Sequence, residues 1–308
     1  APIYPIVFLS PINILGSKLI FAIEGFLVGL GSIFLLRKIL SQFNNQINEN
    51  IKYLSLIIFS ISPMMLTNTI ALSTNGVWGF FLLIAIAYAR NLTILTLSLI
   101  MASILRPNFV VIFPIFLICY SKNLIPRTNN IKWSFSIVLA SYIFFYLLFH
   151  NNYPGDFVNY FLLSNGQGLG EFGEYGDEFI SKTLNFNVEF LEANLNLNSI
   201  LTVLSKPEGI NYIFQLFFAK INSLLGYNVE GLYSTRVEDS FWESKILRTF
   251  YYFFFLFPGF LISLKKSFYI LNNKIKSQNK KIDLFIFSSC FYVLFSSMLI
   301  AIPRYLFP

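Results

Sequence analysis

Residues 92–120 read LTILTLSLIMASILRPNFVVIFPIFLICY, and this stretch decides the fold. It is long enough to cross a membrane as one helix, but Arg106 and Pro107 stand in its middle. An arginine at the centre of a bilayer costs at least about 2.5–3.5 kcal/mol, and a proline removes a backbone donor from the helix. The stretch therefore predicts two short helices that meet at an outward-facing turn formed by Arg106, Pro107 and Asn108.

The whole chain shares this apolar character. It has 308 residues, of which 56% are hydrophobic and only 12% are charged. A water-soluble protein cannot bury 37 phenylalanines and 17 tyrosines in a chain of this length. We predict an all-α fold, a polytopic transmembrane bundle of about eight spans with one large external loop. The composition excludes a disordered protein, a nucleic-acid-binding protein and a disulfide-rich secreted domain.

The remaining apolar segments complete the predicted bundle. Further spans are predicted at 17–36, 52–68, 76–89, 133–149, 246–264 and 282–302. Residues 1–15 contain three prolines and predict a helix at the membrane surface. Residues 210–226 predict a helix lying in the membrane plane, with a ninth span as the alternative. We therefore expect an N-terminal bundle at 1–149, an external acidic and glycine-rich region at 150–245, and C-terminal spans at 246–308.

The charges of the connections are segregated. The short connections at 37–52, 90, 121–132 and 265–283 hold thirteen Lys and Arg but two acids, whereas residues 150–248 hold six Lys and Arg and twelve acids. Short basic loops mark the cytoplasmic side of a membrane. The acidic segment is therefore expected outside, in the periplasm, at the cell exterior or in an organelle lumen. We expect an integral protein of a bacterial inner membrane.

Charged residues within the membrane are candidate functional residues. Glu24 lies inside the first span, and its alternative role is an ion pair with Lys18 or a neighbouring helix. Arg106 and Arg304 lie at the predicted outer surface, where a guanidinium can grip a lipid-linked phosphate with two hydrogen bonds. Their alternative is a structural anchor to lipid headgroups, in which Tyr305 would join Arg304 as part of an aromatic belt.

The external region supplies further candidates. Asp156 and Glu171 are the weak candidates for a catalytic base, with a solvated loop as the alternative. His150 stands where a span leaves the membrane, either as an interface residue or as a substrate contact. The run GQGLGEFGEYG follows no strand, so it is not a dinucleotide-binding fingerprint. We interpret its glycines as a flexible segment or a lid.

The order of these features resembles the C-type superfamily of membrane glycosyltransferases, which use polyprenyl-phosphate or dolichyl-phosphate sugars. The similar segments are the opening PIYPIVFLSPINILGSKL, the stretch SPMMLTNTIALSTNGVWGFFLLIAIAYAR, the paired short helices around Arg106, the long external loop and the closing PRYLFP. The resemblance covers residues 1–150 and 246–308. It implies that Arg304 and Arg106 hold the donor phosphate and that Tyr305 lines the pocket.

Two departures from that superfamily bear on catalysis. Its catalytic acid lies in the first external loop, upstream of Ala1. Many relatives also carry an acid before the fourth span, where this chain has Asn75, which can hydrogen-bond a sugar but cannot act as a base. Because the chain starts without Met and ends directly after a span, we expect a fragment that lacks this acid.

The resemblance implies sugar transfer from a polyprenyl-phosphate donor to a lipid, glycan or protein acceptor on the external face. The alternatives are a lipid-linked polysaccharide polymerase or ligase, and a transporter or flippase without transferase activity. A structural membrane subunit without chemistry is the remaining alternative. The expected partners are the lipid-linked donor and the bilayer, with no nucleic acid. No metal site is predicted, and a divalent cation, Mg²⁺ or Mn²⁺, is the one cofactor left open.

Overall fold

The computed structural model describes residues 18–41, 48–62, 74–105, 109–126, 128, 130–149, 161–162, 171–185, 197–225, 249–272 and 280–297. All regular secondary structure within these ranges is helical, which confirms the predicted all-α class. The α-helices are α1 (Lys18–Leu40), α2 (Glu49–Ser60), α3 (Thr74–Ala87), α4 (Leu92–Leu105), α5 (Phe109–Ser121), α6 (Ile131–Phe149), α7 (Glu171–Leu184), α8 (Leu197–Leu204), α9 (Pro207–Leu224), α10 (Phe257–Leu271) and α11 (Lys280–Ser297). A π-helical turn at Tyr252–Leu256 leads into α10.

The chain forms two compact units. The first unit contains α1 to α6, α10 from Gly259 onward and α11 as far as Tyr292. The second unit contains α7 to α9 and the π-helical turn. Each unit has its own buried side chains.

Helices α3 and α4 form the centre of the first unit. Helix α3 packs against α1 and α4, and α4 packs in turn against α6. Trp78 of α3 and Leu99 of α4 are almost completely buried. Ser98 and Ala102 are also buried on α4, and small side chains of this kind let neighbouring helices approach closely.

The predicted break in residues 92–120 is confirmed. Helix α4 ends at Leu105 and α5 begins at Phe109, while residues 106–108, where the outward turn is predicted, lie outside the described residues. Helix α5 ends in a left-handed cap, because Asn123 has φ 59° and the Leu124 amide donates to the Cys119 carbonyl at 2.9 Å. Asparagine tolerates this conformation better than most residues do, and the cap satisfies a terminal carbonyl of the helix.

One helix in the described part of the chain is long and apolar enough to cross a membrane. It runs from Thr249 to Leu271, and only 11% of its most apolar window is buried inside the structure. Such exposure is unlike the core helix of a soluble protein. Shorter apolar helices occupy Gly76–Ala87, Leu92–Leu105, Ile112–Ser121 and Ile131–Phe144.

The second unit contains a helix that the sequence did not predict. The glycine-rich run was expected to be a flexible segment or a lid, and its later part forms helix α7, whereas the lid stays a prediction. The reason is long-range packing: Ile180 is fully buried, and the Phe179 ring stacks on Tyr212 of α9 with centroids 4.6 Å apart. A Cβ at Gly176 would lie 3.0 Å from the Tyr212 hydroxyl, so the glycine makes room for that side chain. The helix predicted at 210–226 is present as α9.

Candidate functional site

A single stripe of α9 points into the core of the second unit. Tyr212, Leu216 and Lys220 are four residues apart, so they lie on the same side of the helix. Their side chains are 1%, 3% and 1% exposed. Tyr212 and Leu216 form a core cluster with Leu162 and Ile180. Lys220 therefore lies at a position where the helical pattern calls for an apolar side chain.

The polar ends of the Tyr212 and Lys220 side chains form hydrogen bonds with one short backbone segment. The Tyr212 hydroxyl donates to the Leu162 carbonyl at 2.7 Å, and Lys220 Nζ donates to the Phe161 carbonyl at 3.2 Å. A buried polar group destabilises the fold unless it has such a partner. The two bonds therefore fix residues 161 and 162 against α9, across 50 and 59 positions of sequence.

Lys220 lines an apolar cavity of about 350 Å³ that is open on one side. The other walls are Phe161, Leu204 and five residues of α9, which are Ile210, Ile213, Phe214, Leu216 and Phe217. Lys220 is the one charged residue among these wall residues. The volume is at the lower end of the range that small-molecule sites occupy, about 300–1,000 Å³.

Burial lowers the pKa of Lys220 to about 7. The protonated and neutral amines are therefore both populated near neutral pH. A protonated amine beside an apolar wall can hold the anionic group of an amphiphile while the wall receives hydrocarbon. An incoming anion favours the protonated form and raises this pKa again.

Tyr212 stays a hydrogen-bond donor at neutral pH. Burial is the main reason that its pKa is raised, and the charges of Asp177 and Tyr175 add to the effect. Burial also raises the pKa of Asp177 on α7. Glu178, on the same helix, forms an exposed ion pair with Lys182 and does not take part in this buried network.

Three residues predicted from the sequence fall within the described helices. Glu24 lies in α1, partly buried, and its Oε2 atom is buried without a hydrogen-bond partner among the described residues. Asn75 lies in the first turn of α3, and Glu171 is the first residue of α7. Their roles in a site stay predictions.

The other five predicted residues, Arg106, His150, Asp156, Arg304 and Tyr305, lie outside the described residues. Their roles stay predictions. Within the described residues, no group of three or more His, Cys, Asp or Glu side chains is placed to hold a metal ion. Cys119 and Cys290 are both buried, as their apolar surroundings predict.

Sequence reasoning missed Lys220, although a signal for it exists. The segment INYIFQLFFAK places the lysine eight residues after Tyr212, on the apolar side of the predicted helix. The same segment holds three other polar residues, Asn211, Gln215 and Asn222, which share a different face of a helix. In the structure Asn211 and Gln215 are exposed, whereas Asn222 accepts a hydrogen bond of 2.8 Å from the Tyr252 hydroxyl.

The family model for the GPI transamidase subunit PIG-U matches residues 3–193, more than half of the chain. The chain belongs to the PIG-U family. No curated protein and no solved structure matches it. The match includes α1 to α7 and Phe161, whereas α8, α9 and the remaining cavity walls follow it in the sequence.

PIG-U membership contradicts the predicted function. The family description names a subunit of GPI transamidase, so transfer of a sugar from a polyprenyl-phosphate donor is wrong as the activity of this chain. The motifs behind that prediction are short and describe the order of spans and loops. Such features belong to a scaffold, whereas an activity depends on the residues of a site.

Proposed function

We propose that this chain is a membrane subunit of a GPI transamidase complex and that it binds the lipid part of the GPI anchor. The single observation that carries the proposal is the match of the PIG-U family model to residues 3–193. The proposed role is binding and assembly. In this proposal the lipid ligand is glycosylphosphatidylinositol, which combines acyl chains with a phosphate, instead of a polyprenyl-phosphate donor.

The cavity of the second unit supports a lipid-binding role. Its walls suit an acyl segment, and its volume of about 350 Å³ is suited to part of a chain, not to a complete glycolipid. Lys220 supplies a positive charge at the wall, which is complementary to the phosphate of the anchor. We therefore propose that an acyl segment enters between Ile213 and Phe217 and that the Lys220 amine contacts an anionic oxygen.

The finer architecture belongs to the same proposal. We propose a polytopic bundle of about eight spans on a framework similar to the C-type glycosyltransferases, divided at 1–149, 150–245 and 246–308. The membrane would be that of the endoplasmic reticulum, where eukaryotic PIG-U proteins reside, instead of a bacterial inner membrane. The basic connections would face the cytosol and residues 150–245 the lumen.

The predicted arginines fit this proposal with a changed ligand. Arg106 and Arg304 would meet the phosphate of the anchor at the lumenal surface, with Tyr305 and His150 beside the headgroup. Asn75 would hydrogen-bond a sugar of the anchor, and Glu24 would lie within the bundle. Asp156 and Glu171 would face the lumen without serving as a base for sugar transfer.

The first experiment tests membership of the complex. The tagged full-length protein is purified from its own cells, and the copurifying proteins are identified by mass spectrometry. We expect other GPI transamidase subunits to copurify, and we expect deletion of the gene to abolish surface display of a GPI-anchored reporter. Normal display in the deletion strain, together with the absence of transamidase subunits, would contradict the proposal.

The second experiment tests the cavity with a matched pair on α9. Phe214 and Phe218 are each 60% exposed, but only Phe214 lines the cavity. We expect Phe214→Ser to reduce the amount of GPI lipid extracted with the purified complex by about tenfold. Phe218→Ser should leave that amount within about twofold of the unmodified protein.

A charge-matched pair complements it. Lys220→Met is compared with Lys182→Met, which removes an exposed lysine of the same unit. Only the first substitution should lower the bound lipid. Equal lipid content in both pairs of variants would remove the cavity from the proposal, while copurification of the complex still tests the proposed membership separately.

A further inference from the structure

Three basic residues of the first unit lie at or next to the ends of three different helices. Lys38 lies in the last turn of α1, Arg90 follows α3, and Lys281 lies in the first turn of α11. All three belong to the connections that the sequence assigns to the basic side of the membrane. They are far apart in sequence, so only the tertiary structure can place them near one another.

Two ring contacts connect these three helices. The Lys38 ammonium lies 3.4 Å from the centroid of the Tyr88 ring, a cation–π contact that joins the end of α1 to the residues after α3. The rings of Trp78 and Tyr292 are 5.5 Å apart, which joins α3 to α11. From Trp78 to Ala87, the last residue of α3, the helix rises about 14 Å, and from Lys281 to Tyr292 in α11 the rise is about 16 Å. The end of α3 and the start of α11 therefore lie at similar distances from this ring contact.

The electrostatics of Lys281 agree with this arrangement. Burial lowers the pKa of Lys281, and the positive charges of Lys38 and Arg90 lower it further. Lys281 also lies at the N-terminal end of α11, where the helix dipole disfavours a cation. An anion bound between the three side chains would offset the repulsion among the cations, and the helix dipole at this end would attract it.

Two of the three acidic residues of the first unit have ion-pair partners outside the cluster. Asp283 Oδ1 lies 2.5 Å from the Lys266 ammonium, close enough for an ion pair although the angles are not those of a hydrogen bond. Glu49 pairs with Lys52 at 2.6 Å. The remaining acid, Glu24, lies fourteen residues before Lys38 on α1, about 21 Å along the helix.

We propose that Lys38, Arg90 and Lys281 bind the phosphate of an anionic phospholipid headgroup. Basic pockets between membrane helices are known to bind such headgroups. Phe34 stands one turn before Lys38 and is 58% exposed, so apolar surface for an acyl chain continues from the basic end. The site is at the opposite end of the bundle from the predicted outward turn at residues 106–108, and it does not depend on the proposed transamidase role.

The test compares two double variants of the full-length protein in lipid nanodiscs or detergent. Arg90→Gln/Lys281→Gln removes two charges of the cluster, and Lys132→Gln/Lys265→Gln removes two exposed lysines of the same unit. Bound phosphatidylserine and phosphatidylcholine are counted by native mass spectrometry. We expect the unmodified protein to prefer phosphatidylserine by about tenfold, the cluster variant to lose that preference, and the control to keep it within about twofold.

Two further measurements distinguish lipid binding from a loss of folding and from the binding of free anions. Arg90→Lys/Lys281→Arg keeps both charges and should keep the preference, whatever the yield of the neutral variant. Millimolar inorganic phosphate should not displace phosphatidylserine. The proposal is overturned if the unmodified protein binds both lipids equally, if both neutral variants lose the preference alike, or if inorganic phosphate displaces the lipid.

Discussion

The two units are built by different means. Helix α4 of the first unit is apolar on all sides, and its neighbours α3 and α6 cover most of it. Helix α9 of the second unit is amphipathic, with exposed Asn211 and Gln215 and a buried stripe that ends in Lys220. The position of α4 therefore depends on the shapes of its neighbours. The position of α9 depends on a sequence pattern and on hydrogen bonds to distant carbonyls.

Because of this difference, we expect different kinds of substitution to destabilise the two units. The interior of the first unit has to be filled by volume, because an all-apolar helix has no pattern that fixes its rotation. The second unit has to satisfy the polar groups that it buries. Substitutions that remove volume should therefore act most strongly in the first unit, and those that remove a donor or crowd a backbone should act in the second.

The largest effect is expected from Trp78→Ala in the first unit. Trp78 is 1% exposed and packs against Tyr292, so its removal should destabilise the protein by about 3–5 kcal/mol. Unfolding by denaturant in detergent micelles measures this. Trp78→Phe serves as the control and should cost much less, since the indole N–H has no hydrogen-bond partner among the described residues. A loss below about 1 kcal/mol for the alanine variant would break the contrast between the units.

Crowding should be the next largest effect. A Cβ at Gly209 would lie 1.8 Å from the Val203 carbonyl oxygen, so Gly209→Ala forces the backbone of α8 and α9 apart and should cost about 3 kcal/mol. At Gly31 the nearest atom is 2.6 Å away, but it belongs to the Phe80 ring, which can rotate. Gly31→Ala should therefore cost about 1 kcal/mol. Equal destabilisation of the two variants in the same unfolding assay would refute this distinction.

The buried lysine of the second unit should make the stability of the protein depend on pH. The folded protein holds Lys220 at a pKa of about 7, against an ordinary value of 10.5. Between these values the unfolded state binds more protons, so stability rises with pH by at most about 1.4 kcal/mol per unit. From pH 7 to pH 9 we expect a gain of about 2 kcal/mol that Lys220→Met lacks. Below pH 10 the Tyr212 phenol does not contribute, because its pKa is raised.

That measurement is a difference between two proteins. Unfolding midpoints of the unmodified and Lys220→Met proteins are followed across the same pH range, so other titrating groups cancel. Parallel pH profiles would show that Lys220 remains charged in the folded protein.

The smallest effect is expected from Tyr212→Phe. The substitution removes one hydroxyl that donates to the Leu162 carbonyl at 2.7 Å and keeps the ring stacked on Phe179. A single hydrogen bond contributes about 1 kcal/mol net, so we expect a fall in thermal stability of that size. Tyr53→Phe, at a 50% exposed tyrosine of the first unit, should leave it unchanged. No difference between the two variants would mean that the second unit relies on packing alone.

Several elements of the fold were predictable because local signals specify them. The break between α4 and α5 follows from Arg106 and Pro107, which a continuous membrane helix cannot hold at low cost. Helix α9 follows from the spacing of its apolar residues. In contrast, helix α7 was missed because its glycines indicate flexibility locally, whereas the Tyr212 ring and hydroxyl that occupy the space beside them come from a distant part of the chain.

The candidate sites divide in the same way. Lys220 was visible in the sequence as a lysine on an apolar stripe, yet its cavity exists only because residues 161 and 204 pack beside α9. The proposed headgroup site was not visible at all, since Lys38, Arg90 and Lys281 are separated by up to 243 positions of the sequence. The function was misread because the recognised motifs describe a scaffold.

The sequence by itself determined an apolar, all-helical protein with segregated charges, because composition and periodicity act on each segment separately. The tertiary structure alone decided which polar side chains are buried, which carbonyls they reach and which cations meet. Those outcomes depend on contacts between residues that are distant in sequence, and the free energy of such a contact is set by its surroundings, not by the residue type.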